Sequence, residues 1–294
     1  MLRDDFAIFI LTHGRPDMIY TLATLRKAGY TGRWYLILDD EDPTIDKTKD
    51  MYGPEHVVVF SKEEASRKFD VMDNFSGRKV IVYARNMCNQ IARDLGLRYF
   101  AEFEDDYLGL DHRYEMLGML KAKPIRSFDD VCEAMLTFVD SVSAIQPKFR
   151  AIAFAQGGDF IGGAEGGIWK DRIRRKAMNS FFFKVPDDPS DDIMFLGRMN
   201  DDVNLYTTDG MRGGLWFQIA DICLVQQMTQ KSKGGNADAY LAYGTYVKSF
   251  YSVMGEPSCV KISMMGRNNY RIHHHVEWNN CVPKILDEEW RRPE

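Results

Sequence analysis

The sequence predicts an α/β protein built on a mixed, mainly parallel sheet with helices on its faces. Three observations lead to this prediction: short and wholly apolar runs, helical segments between those runs, and acidic or turn-forming residues directly after them. Wholly apolar runs are typical of strands that helices cover on both faces of a parallel sheet. Strands that alternate with helices join by right-handed crossovers and form such a sheet.

The first predicted strand covers residues 6–11, a continuous apolar run that a turn-forming segment at 12–16 ends. A helix is expected next, because Pro16 suits a first helical position and Gly29 can supply the left-handed residue that stops a helix. A second buried strand is predicted at 34–38. These elements form the first strand, helix and strand of the alternation.

The same alternation continues along the chain. A short strand is predicted at 57–60, a helix at 80–95 and a strand at 97–103. A helix with an apolar stripe follows Ser127, and an apolar run at 150–155 predicts another strand. Further along, we expect strands at 215–226 and 260–264 and a helix at 240–250.

Three consecutive carboxylates, Glu104, Asp105 and Asp106, follow the strand predicted at 97–103. Adjacent anions repel each other unless a cation lies among them, and hard divalent ions take carboxylate and phosphate oxygens as ligands. Glu104 and Asp106 are two apart on an extended segment, so their side chains point the same way. The cluster indicates a Mn²⁺ or Mg²⁺ site, with a solvated acidic turn as the alternative.

Polar residues follow three of the predicted strands, at the point where each strand ends. Thr12, His13 and Arg15 follow the first strand, Asp39 and Asp40 follow the second, and the acidic cluster follows the third. In open α/β sheets the ligand crevice lies outside the carboxyl ends of the strands. The three polar tips therefore predict a nucleotide or nucleotide-sugar pocket at this edge.

A glycine-rich segment at 156–167 follows the strand predicted at 150–155. It contains neither GxGxxG in a βαβ setting nor GxxxxGK[ST], so neither dinucleotide-binding nor P-loop chemistry is supported. Dense glycines permit close backbone approach or movement. A lid over a substrate and a plain mobile loop are both compatible with the segment.

Five basic residues in segment 170–176 surround a single acidic one and precede three phenylalanines. Basic side chains beside aromatic rings can hold phosphates and stack bases. A solvated helix face before a buried strand is the alternative. The candidate nucleic-acid contacts are Arg172, Arg174, Arg175 and Lys176.

Composition and charge restrict the class of protein. A formal net charge of -5 with a pI near 5.8 argues against coating nucleic acid through a global positive field, while a local basic groove stays compatible. The early apolar run at 6–11 is too short for a signal-peptide core or a membrane span, so we expect a cytoplasmic protein without a membrane partner. The five cysteines are widely spaced and lack a CxxC pair, which indicates neither a disulfide framework nor a zinc ribbon.

The order of these motifs resembles a GT-A glycosyltransferase. The resemblance lies in Thr-His-Gly-Arg-Pro after the first strand, Asp39-Asp40 after the second, Ala84-Arg85-Asn86 in a helix before the acidic strand tip, and Asn200-Asp201-Asp202 later. More narrowly, the chain resembles the phage glycosyltransferases associated with TET/JBP-type oxygenases, which act on 5-hydroxymethylcytosine in DNA. The resemblance covers nearly the whole chain.

The resemblance implies a GT-A-like, Rossmann-related fold in a single domain over residues 1–294. Its nucleotide-sugar-binding half would cover 1–110 and its acceptor-binding half 111–294. The implied donor is a UDP-sugar, and the implied metal is Mn²⁺ or Mg²⁺. The chain departs from the common DxD motif by its Glu-Asp-Asp sequence, which leaves open which oxygens hold the metal.

Roles for individual residues follow from the same resemblance. The first strand tip and Asp39-Asp40 would hold the uridine, Arg85 would approach the sugar donor, and Asp105 is assigned to the donor site. Glu104 and Asp106 would hold the metal, which bridges the two phosphates.

The resemblance also assigns residues in the second half of the chain. Asp201 or Asp202 would accept the proton of the attacking hydroxyl, although helix N-terminal carboxylates are the structural alternative. One of His273, His274 and His275 would complete the metal shell, without a choice among the three.

Three functions remain open on the sequence. The first is transfer of a sugar from a UDP-sugar to the hydroxyl of 5-hydroxymethylcytosine in DNA. The second is the same chemistry on a protein, glycan or small-molecule acceptor. The third is an inactive nucleotide-sugar-binding module. The sequence does not specify the sugar, the stereochemical outcome or the oligomeric state.

Overall fold

The computed structural model describes residues 2–174, 176–226, 244, 246–266 and 270–281. The strands are β1 (Phe6–Leu11), β2 (Arg33–Asp39), β3 (Val57–Phe60), β4 (Tyr99–Glu104), β5 (Tyr107–Met116), β6 (Met119–Pro124), β7 (Phe149–Gln156), β8 (Ile173–Arg174), β9 (Phe181–Lys184), β10 (Leu215–Gln226), β11 (Val260–Met265) and β12 (Arg271–Val276). The α-helices are α1 (Tyr20–Lys27), α2 (Ile45–Tyr52), α3 (Lys62–Lys68), α4 (Ile81–Asp94), α5 (Phe128–Ile145), α6 (Gly167–Asp171), α7 (Asp201–Met211) and α8 (Val247–Gly255).

A ten-stranded sheet forms the centre of the described part of the chain, in the order β3-β2-β1-β4-β9-β7-β10-β5-β6, with β8 paired to β10. β1 to β4 are mutually parallel, and β7 and β10 run in the same direction. β9, inserted between β4 and β7, and β5, beside β10, run the opposite way. The predicted α/β class with a mixed, mainly parallel sheet is therefore confirmed.

Two hydrophobic cores lie on opposite faces of this sheet. Ile8 and Ile10 of β1 pack with the apolar sides of α1 and α5, whereas Ala7 and Phe9 pack with α4 and α7. Successive strand residues point to opposite faces, so a strand buried on both faces is apolar at every position. This is why wholly apolar runs identified the inner strands.

The hairpin of β5 and β6 is absent from the sequence-based prediction. Its tight turn uses Leu117 and Gly118, which both have positive φ angles, 54° and 71°. Such turns are usually read from Asn-Gly or Asp-Gly, and a leucine at a left-handed position gives no such signal. Of the helix predicted at 240–250, the structure has α8 from Val247, and residues 240–243 and 245 lie outside the described residues.

A separate two-stranded sheet of β11 and β12 packs against α8. Its register pairs Ile262 with His274 and Ser263 with His273. Among the helices that the structure describes, none has the length and apolar character needed to cross a bilayer.

Candidate active site

The tips of β1, β2 and β4 meet at one edge of the sheet, as their parallel direction requires. Leu11 at the end of β1 is in register with Ile37 of β2 and with Glu104 of β4. The residues that follow these strands therefore lie side by side. The predicted convergence of the three polar tips is what the topology produces.

An open pocket of about 620 Å³ lies beside the β1 and β2 tips. Thr12, His13, Arg15 and Asp39, all assigned to the donor site from the sequence, contribute to its wall. Lys62, absent from that assignment, also contributes. The remaining lining residues are Leu11, Ile37, Phe60, Lys79, Val80, Ile81, Tyr83 and Ala84.

Asp105 holds the polar side of this region together. Its fully buried carboxylate accepts a 2.6 Å hydrogen bond from Thr12 Oγ1 and two from the Arg15 guanidinium, at 2.6 and 2.8 Å. Burial raises the pKa of Asp105, and the charge of Arg15 opposes that rise. Bidentate pairing of this kind fixes geometry as well as charge. Asp105 therefore fastens the β4 tip to the loop after β1.

Asp39, in the pocket wall, is held by an imidazole and an ammonium group. Its Oδ2 lies 2.8 Å from His13 Nδ1, and its Oδ1 accepts a 3.0 Å hydrogen bond from Lys62 Nζ. Burial opposes ionisation, but these hydrogen bonds more than offset it and lower the pKa of Asp39. Asp40 is exposed and accepts a 2.9 Å hydrogen bond from the backbone N–H of Lys62, so it holds the start of α3.

Arg85 of α4 lies at the centre of a second, buried charge cluster. Its guanidinium is 2.7 Å from Asp201 Oδ2, 2.8 Å from Glu104 Oε1 and 3.4 Å from Glu102 Oε2. Arg85 is not part of the pocket wall, and its side chain is only 1% exposed. The guanidinium therefore joins the tip of β4 to the first turn of α7.

The carboxylates of this cluster exceed their cationic partners. Burial raises the pKa of Glu104 to about 8, and Asp106, Asp201 and Asp202 add to the rise while Arg85 opposes it. Burial likewise raises the pKa of Glu102 to about 8. The pKa of each group rises because a further negative charge is unfavourable there.

A divalent cation fits this surplus of acidic groups, because it would favour their ionised form. Asp106 Oδ1 is buried and has no hydrogen-bond partner among the described residues, so a carboxylate oxygen is free for another ligand. In the described parts of the chain, no three His, Cys, Asp or Glu side chains converge with the spacing of a metal site. That result is compatible with an ion that takes one or two carboxylates and completes its shell with phosphate and water.

Asp201 and Asp202 occupy the first turn of α7 and are both buried. Asp201 is tied to Arg85, whereas Asp202 Oδ1 accepts a 2.8 Å hydrogen bond from the backbone N–H of Val203. Burial, with a contribution from Asp201, raises the pKa of Asp202 to about 6. Both residues are therefore carboxylates at a helix N-terminus, as the structural alternative expected. The raised pKa of Asp202 is an additional feature that is common at functional sites.

The three histidines of β12 have different surroundings. His274 Nδ1 lies 3.1 Å from Asn200 Nδ2, directly before α7. Burial, with the nearby cationic side chains, lowers the pKa of His274 to about 3, so this imidazole is neutral at physiological pH. Burial also lowers the pKa of the half-buried His273, and His275 is exposed.

The basic segment predicted to contact nucleic acid is paired with acidic residues. Lys170 forms an ion pair with Glu165, Arg172 forms one with Asp221, and Lys176 forms one with Asp159 at 2.6 Å. Arg172 also stacks over the ring of Trp169, 3.8 Å from its centroid. Arg175 and the side chain of Arg174 lie outside the described residues.

Several residues of the site carry no clear motif. Glu102 lies inside a largely apolar strand. A carboxylate between Phe100 and Phe103 was the sequence feature that could have marked it as a site residue. Lys62 follows β3 and reaches Asp39 from 23 positions away. Asp159 and Gln218 are brought together only by the pairing of β7 with β10.

Comparison with known proteins identifies the family of the chain. The family model described as TET-Associated Glycosyltransferase matches residues 6–235. A search of curated proteins found no match.

Solved structures with a similar arrangement include two sugar-transferring enzymes. Glucosyl-3-phosphoglycerate synthase from Mycobacterium tuberculosis, in complex with Mn²⁺, UDP and phosphoglyceric acid, is 8% identical with a TM-score of 0.44, and the match covers 93% of this chain and 87% of that one. A mannosyltransferase from Pyrobaculum calidifontis, in complex with GDP-Man and Mn²⁺, is 12% identical with a TM-score of 0.41, over 86% of this chain and 74% of that one.

Proposed function

The chain belongs to the TET-associated glycosyltransferase family and is a nucleotide-sugar glycosyltransferase, and from that premise we propose a specific donor and acceptor. The proposed donor is a UDP-sugar. The proposed acceptor is the hydroxyl group of 5-hydroxymethylcytosine in DNA, as the resemblance to the phage enzymes implies. A divalent cation, Mn²⁺ or Mg²⁺, is proposed as cofactor.

One observation supports the donor assignment most directly. The pocket walled by Thr12, His13, Arg15 and Asp39 opens beside a strand tip where acidic side chains outnumber cationic ones. A UDP-sugar whose uridine occupies the pocket would place its diphosphate toward that tip. Without a cation, the ionised carboxylates would repel the diphosphate. The diphosphate and the carboxylates therefore require a shared cation.

Glu104 and Asp106 are the residues proposed to hold this cation, and His274 is the proposed imidazole ligand of the three candidates. When bound, the cation supplies Lewis-acid stabilisation of the negative charge on departing UDP. Arg85 holds the Glu104 carboxylate through its 2.8 Å contact and so fixes one ligand. Asp105 keeps the same tip attached to β1.

Asp202 is proposed as the base that accepts the proton of the attacking hydroxyl. Asp201 is the weaker candidate, because its carboxylate is engaged by Arg85 at 2.7 Å. With a pKa near 6, Asp202 is largely ionised at pH 7 and remains basic enough to take a proton as attack proceeds. A bound cation nearby would lower this pKa toward the ordinary value of an aspartate.

The pairing of the basic segment favours a second candidate. Because Lys170, Arg172 and Lys176 are each neutralised by a carboxylate, their attraction for DNA phosphates is reduced. The same transfer chemistry on a protein, glycan or small-molecule acceptor is therefore the alternative. An inactive binding module is disfavoured by the intact carboxylates at 104, 106, 201 and 202.

The deciding experiment supplies the protein with Mn²⁺, a panel of UDP-sugars and DNA that contains 5-hydroxymethylcytosine. We expect a mass increase of one sugar on the DNA, and the Asp202→Asn variant to lose it. If UDP-sugar is consumed without any mass increase on DNA, the DNA acceptor is wrong. If neither UDP nor Mn²⁺ binds, the transferase assignment of these residues is wrong.

The contribution of the basic segment is measured separately. Replacement of Arg172, Arg174 and Arg175 by Ala should weaken DNA modification and reduce its salt dependence if these residues hold phosphates. Unchanged transfer to DNA would remove the segment from the DNA contact surface and leave the donor assignment intact.

A further inference from the structure

One face of the hairpin formed by β5 and β6 is covered by the segment that follows β7. Arg113 lies over the ring of Phe160, 4.7 Å from its centroid, and Glu115 accepts a 3.1 Å hydrogen bond from Trp169 Nε1. Leu120 packs into the same apolar cluster as Trp169. Successive strand residues point to opposite faces, so the residues between these three form the other face of the hairpin.

The other face, which we call the outer face, carries two rings and two lysines. The strand register pairs His112 with Lys123 and Tyr114 with Lys121, which places these four side chains next to each other on one face. The rings of His112 and Tyr114 are nearly parallel, at 18°, and their centroids are 6.4 Å apart. His112 and Lys123 are exposed, and Tyr114 and Lys121 are half-buried. The outer face is therefore open to a ligand.

A pocket lies on the same side of the hairpin, closer to the acidic motif. It has a volume of about 600 Å³ and is formed by α1, the start of β5 and the end of β6. Leu108 and Leu110 line it, and both share a face with His112 because they lie two and four positions before it. Leu108 is 49% exposed and lies two positions after Asp106. Along the chain, the pocket is therefore between the proposed cation site and the outer face.

The cationic side chains of this region differ from those of the basic segment in having no carboxylate partner. Lys27 and Arg126 line the pocket, and the Arg126 guanidinium donates a 3.1 Å hydrogen bond to the backbone carbonyl of Lys27. None of the ion pairs between described residues includes these two side chains, Lys121 or Lys123. Asp111 is the acidic residue in the pocket wall. Four cations therefore face one carboxylate.

We propose that the pocket and the outer face bind the DNA strand next to the modified base, with phosphates on the four cations and a base stacked on the rings. Cations beside planar rings are the means by which proteins hold a nucleic-acid strand without reading its sequence. The charge complementarity is local, because the chain as a whole has a net charge of -5. This inference rests on the proposed function and adds to it a contact surface for the acceptor DNA.

The position of the outer face determines how much DNA is needed to reach it. Tyr114 lies eight residues after Asp106. Eight residues of extended chain span at most about 27 Å. Phosphates on one strand of a DNA helix are about 3.4 Å apart along the axis, so up to about eight nucleotides cover this distance. A trinucleotide would therefore reach the reaction centre without reaching the lysines of the hairpin.

The test compares a trinucleotide with a single strand of about 20 nucleotides, each with one central 5-hydroxymethylcytosine. For the wild-type protein, the KM of the longer strand should be lower by about tenfold or more, because phosphate contacts supply most of the affinity. Replacement of both Lys121 and Lys123 by Ala should remove most of this advantage and leave the KM of the trinucleotide unchanged. The slope of log Kd against log salt for the longer strand should fall by about 1.4, since two phosphate contacts are lost.

The matched control for the lysines replaces Lys148 and Lys184 by Ala. Lys148 directly precedes β7 and Lys184 ends β9, so both lie at the sheet edge opposite to the strand tips. This control should have wild-type KM values and a wild-type salt slope. Every variant should bind UDP in the presence of Mn²⁺ with wild-type affinity, which shows that it is folded.

The contribution of the rings is tested with Tyr114→Leu. We expect the Kd of the longer strand to rise about fivefold or more with an unchanged salt slope, because stacking on a ring releases no counterions. Tyr35→Leu is the control, since Tyr35 is also half-buried on a strand but belongs to β2, far from β5 in the strand order. It should bind DNA as the wild type does.

Three results would contradict the proposal in different ways. Wild-type KM and salt slope in the hairpin variants, or equal losses in the control variants, would overturn the inference and leave the proposed function standing. A wild-type dimer that the Lys121 and Lys123 replacements dissociate would also overturn it, because the face would then bind a second copy of the chain. If neither strand accepts a sugar, the DNA acceptor of the proposed function is wrong, and a Kd for the longer strand that depends on the two lysines would still support the contact surface.

Discussion

The wall of the pocket beside β1 and β2 and the centre around Arg85 lie at the same edge of the sheet but differ in charge balance. In the wall, the charge of Asp105 is matched by Arg15 and that of Asp39 by Lys62, and His13 adds a hydrogen-bond contact to Asp39. In the centre, the guanidinium of Arg85 contacts three carboxylates, with two more in electrostatic reach of Glu104.

The two regions differ in whether each carboxylate has a partner within the protein. The carboxylates of the wall have their partners within the protein. The centre has more acidic than cationic side chains and a carboxylate oxygen of Asp106 without a hydrogen-bond partner among the described residues, which supports the proposed cation site. Within one acidic motif, Asp105 is therefore paired with a cationic side chain, whereas Asp106 has an oxygen without a partner among the described residues.

Removal of the central guanidinium should produce the largest effect on stability. Arg85→Met leaves Glu102 and Asp201 buried without their cation, and we expect the free energy of unfolding to fall by about 3–5 kcal/mol. Denaturant unfolding measures this change. The control is Arg67→Met, which breaks an exposed pair with Glu63 and should change stability by less than about 1 kcal/mol. Equal effects in the two variants would contradict a central role for Arg85.

Asp106→Asn should separate activity from stability. We expect transfer to fall about 100- to 1,000-fold, because one negatively charged cation ligand is lost. The melting temperature without metal should stay the same or rise, since a buried carboxylate oxygen without a partner is replaced by a neutral group. Turnover at saturating Mn²⁺ and calorimetric Mn²⁺ binding measure the loss. Wild-type Mn²⁺ affinity in this variant would remove Asp106 from the metal site.

Asp105→Asn should have the opposite effect on stability to its neighbour. The substitution breaks the bidentate pair with Arg15 and weakens the bond from Thr12, so we expect the free energy of unfolding to fall by about 2 kcal/mol. Thermal unfolding of Asp105→Asn and Asp106→Asn side by side gives the comparison. If Asp106→Asn lowered the stability and Asp105→Asn did not, Asp106 rather than Asp105 would be the residue with a stabilising partner.

The ion pair of Asp73 and Arg198, outside the site, should give the smallest change in stability, and that change should depend on pH. Asp73 accepts hydrogen bonds from Arg198 and Tyr251, which outweigh burial and lower its pKa. The stability that Asp73 contributes is therefore complete above its unfolded pKa of about 3.9 and is lost as the pH falls through the lower folded pKa. At pH 7, Asp73→Asn should destabilise the protein by about 1–2 kcal/mol.

The pH series distinguishes this ion pair from a packing effect. The difference in unfolding free energy between wild type and Asp73→Asn should shrink below about pH 4, where the wild-type carboxylate takes up a proton. Asp187→Asn, a change of an exposed carboxylate in the segment after β9, should show no comparable difference. A difference for Asp73→Asn that stays constant from pH 7 to pH 3 would contradict an electrostatic origin.

The inner strands and the convergence of their tips were accessible from the sequence because both depend on local pattern. β1 is apolar at every position since both faces are covered, and parallel strands bring Thr12, Asp39 and Glu104 to one edge. The family resemblance, read from the order of these motifs, is confirmed by the family match over residues 6–235. The roles assigned to individual site residues stay predictions.

The division of labour within the acidic motif was not accessible in this way. Glu104, Asp105 and Asp106 are alike in sequence, but the strand pleat sends Asp105 toward Arg15 and Glu104 toward Arg85. The hairpin turn at Leu117 lacked the usual residue types. The partners of the basic segment, such as Asp221 for Arg172, lie far along the chain.

The sequence by itself determined the α/β class, the buried strands, the edge at which the polar strand tips meet and the family. Tertiary structure alone decided which charges are matched, which are in surplus, and which side chains share the outer face of the β5–β6 hairpin. The physical reason is range. Periodicity and turn chemistry act between residues a few positions apart, whereas charge balance and hydrogen-bond satisfaction depend on strand order, which places β9 between β4 and β7.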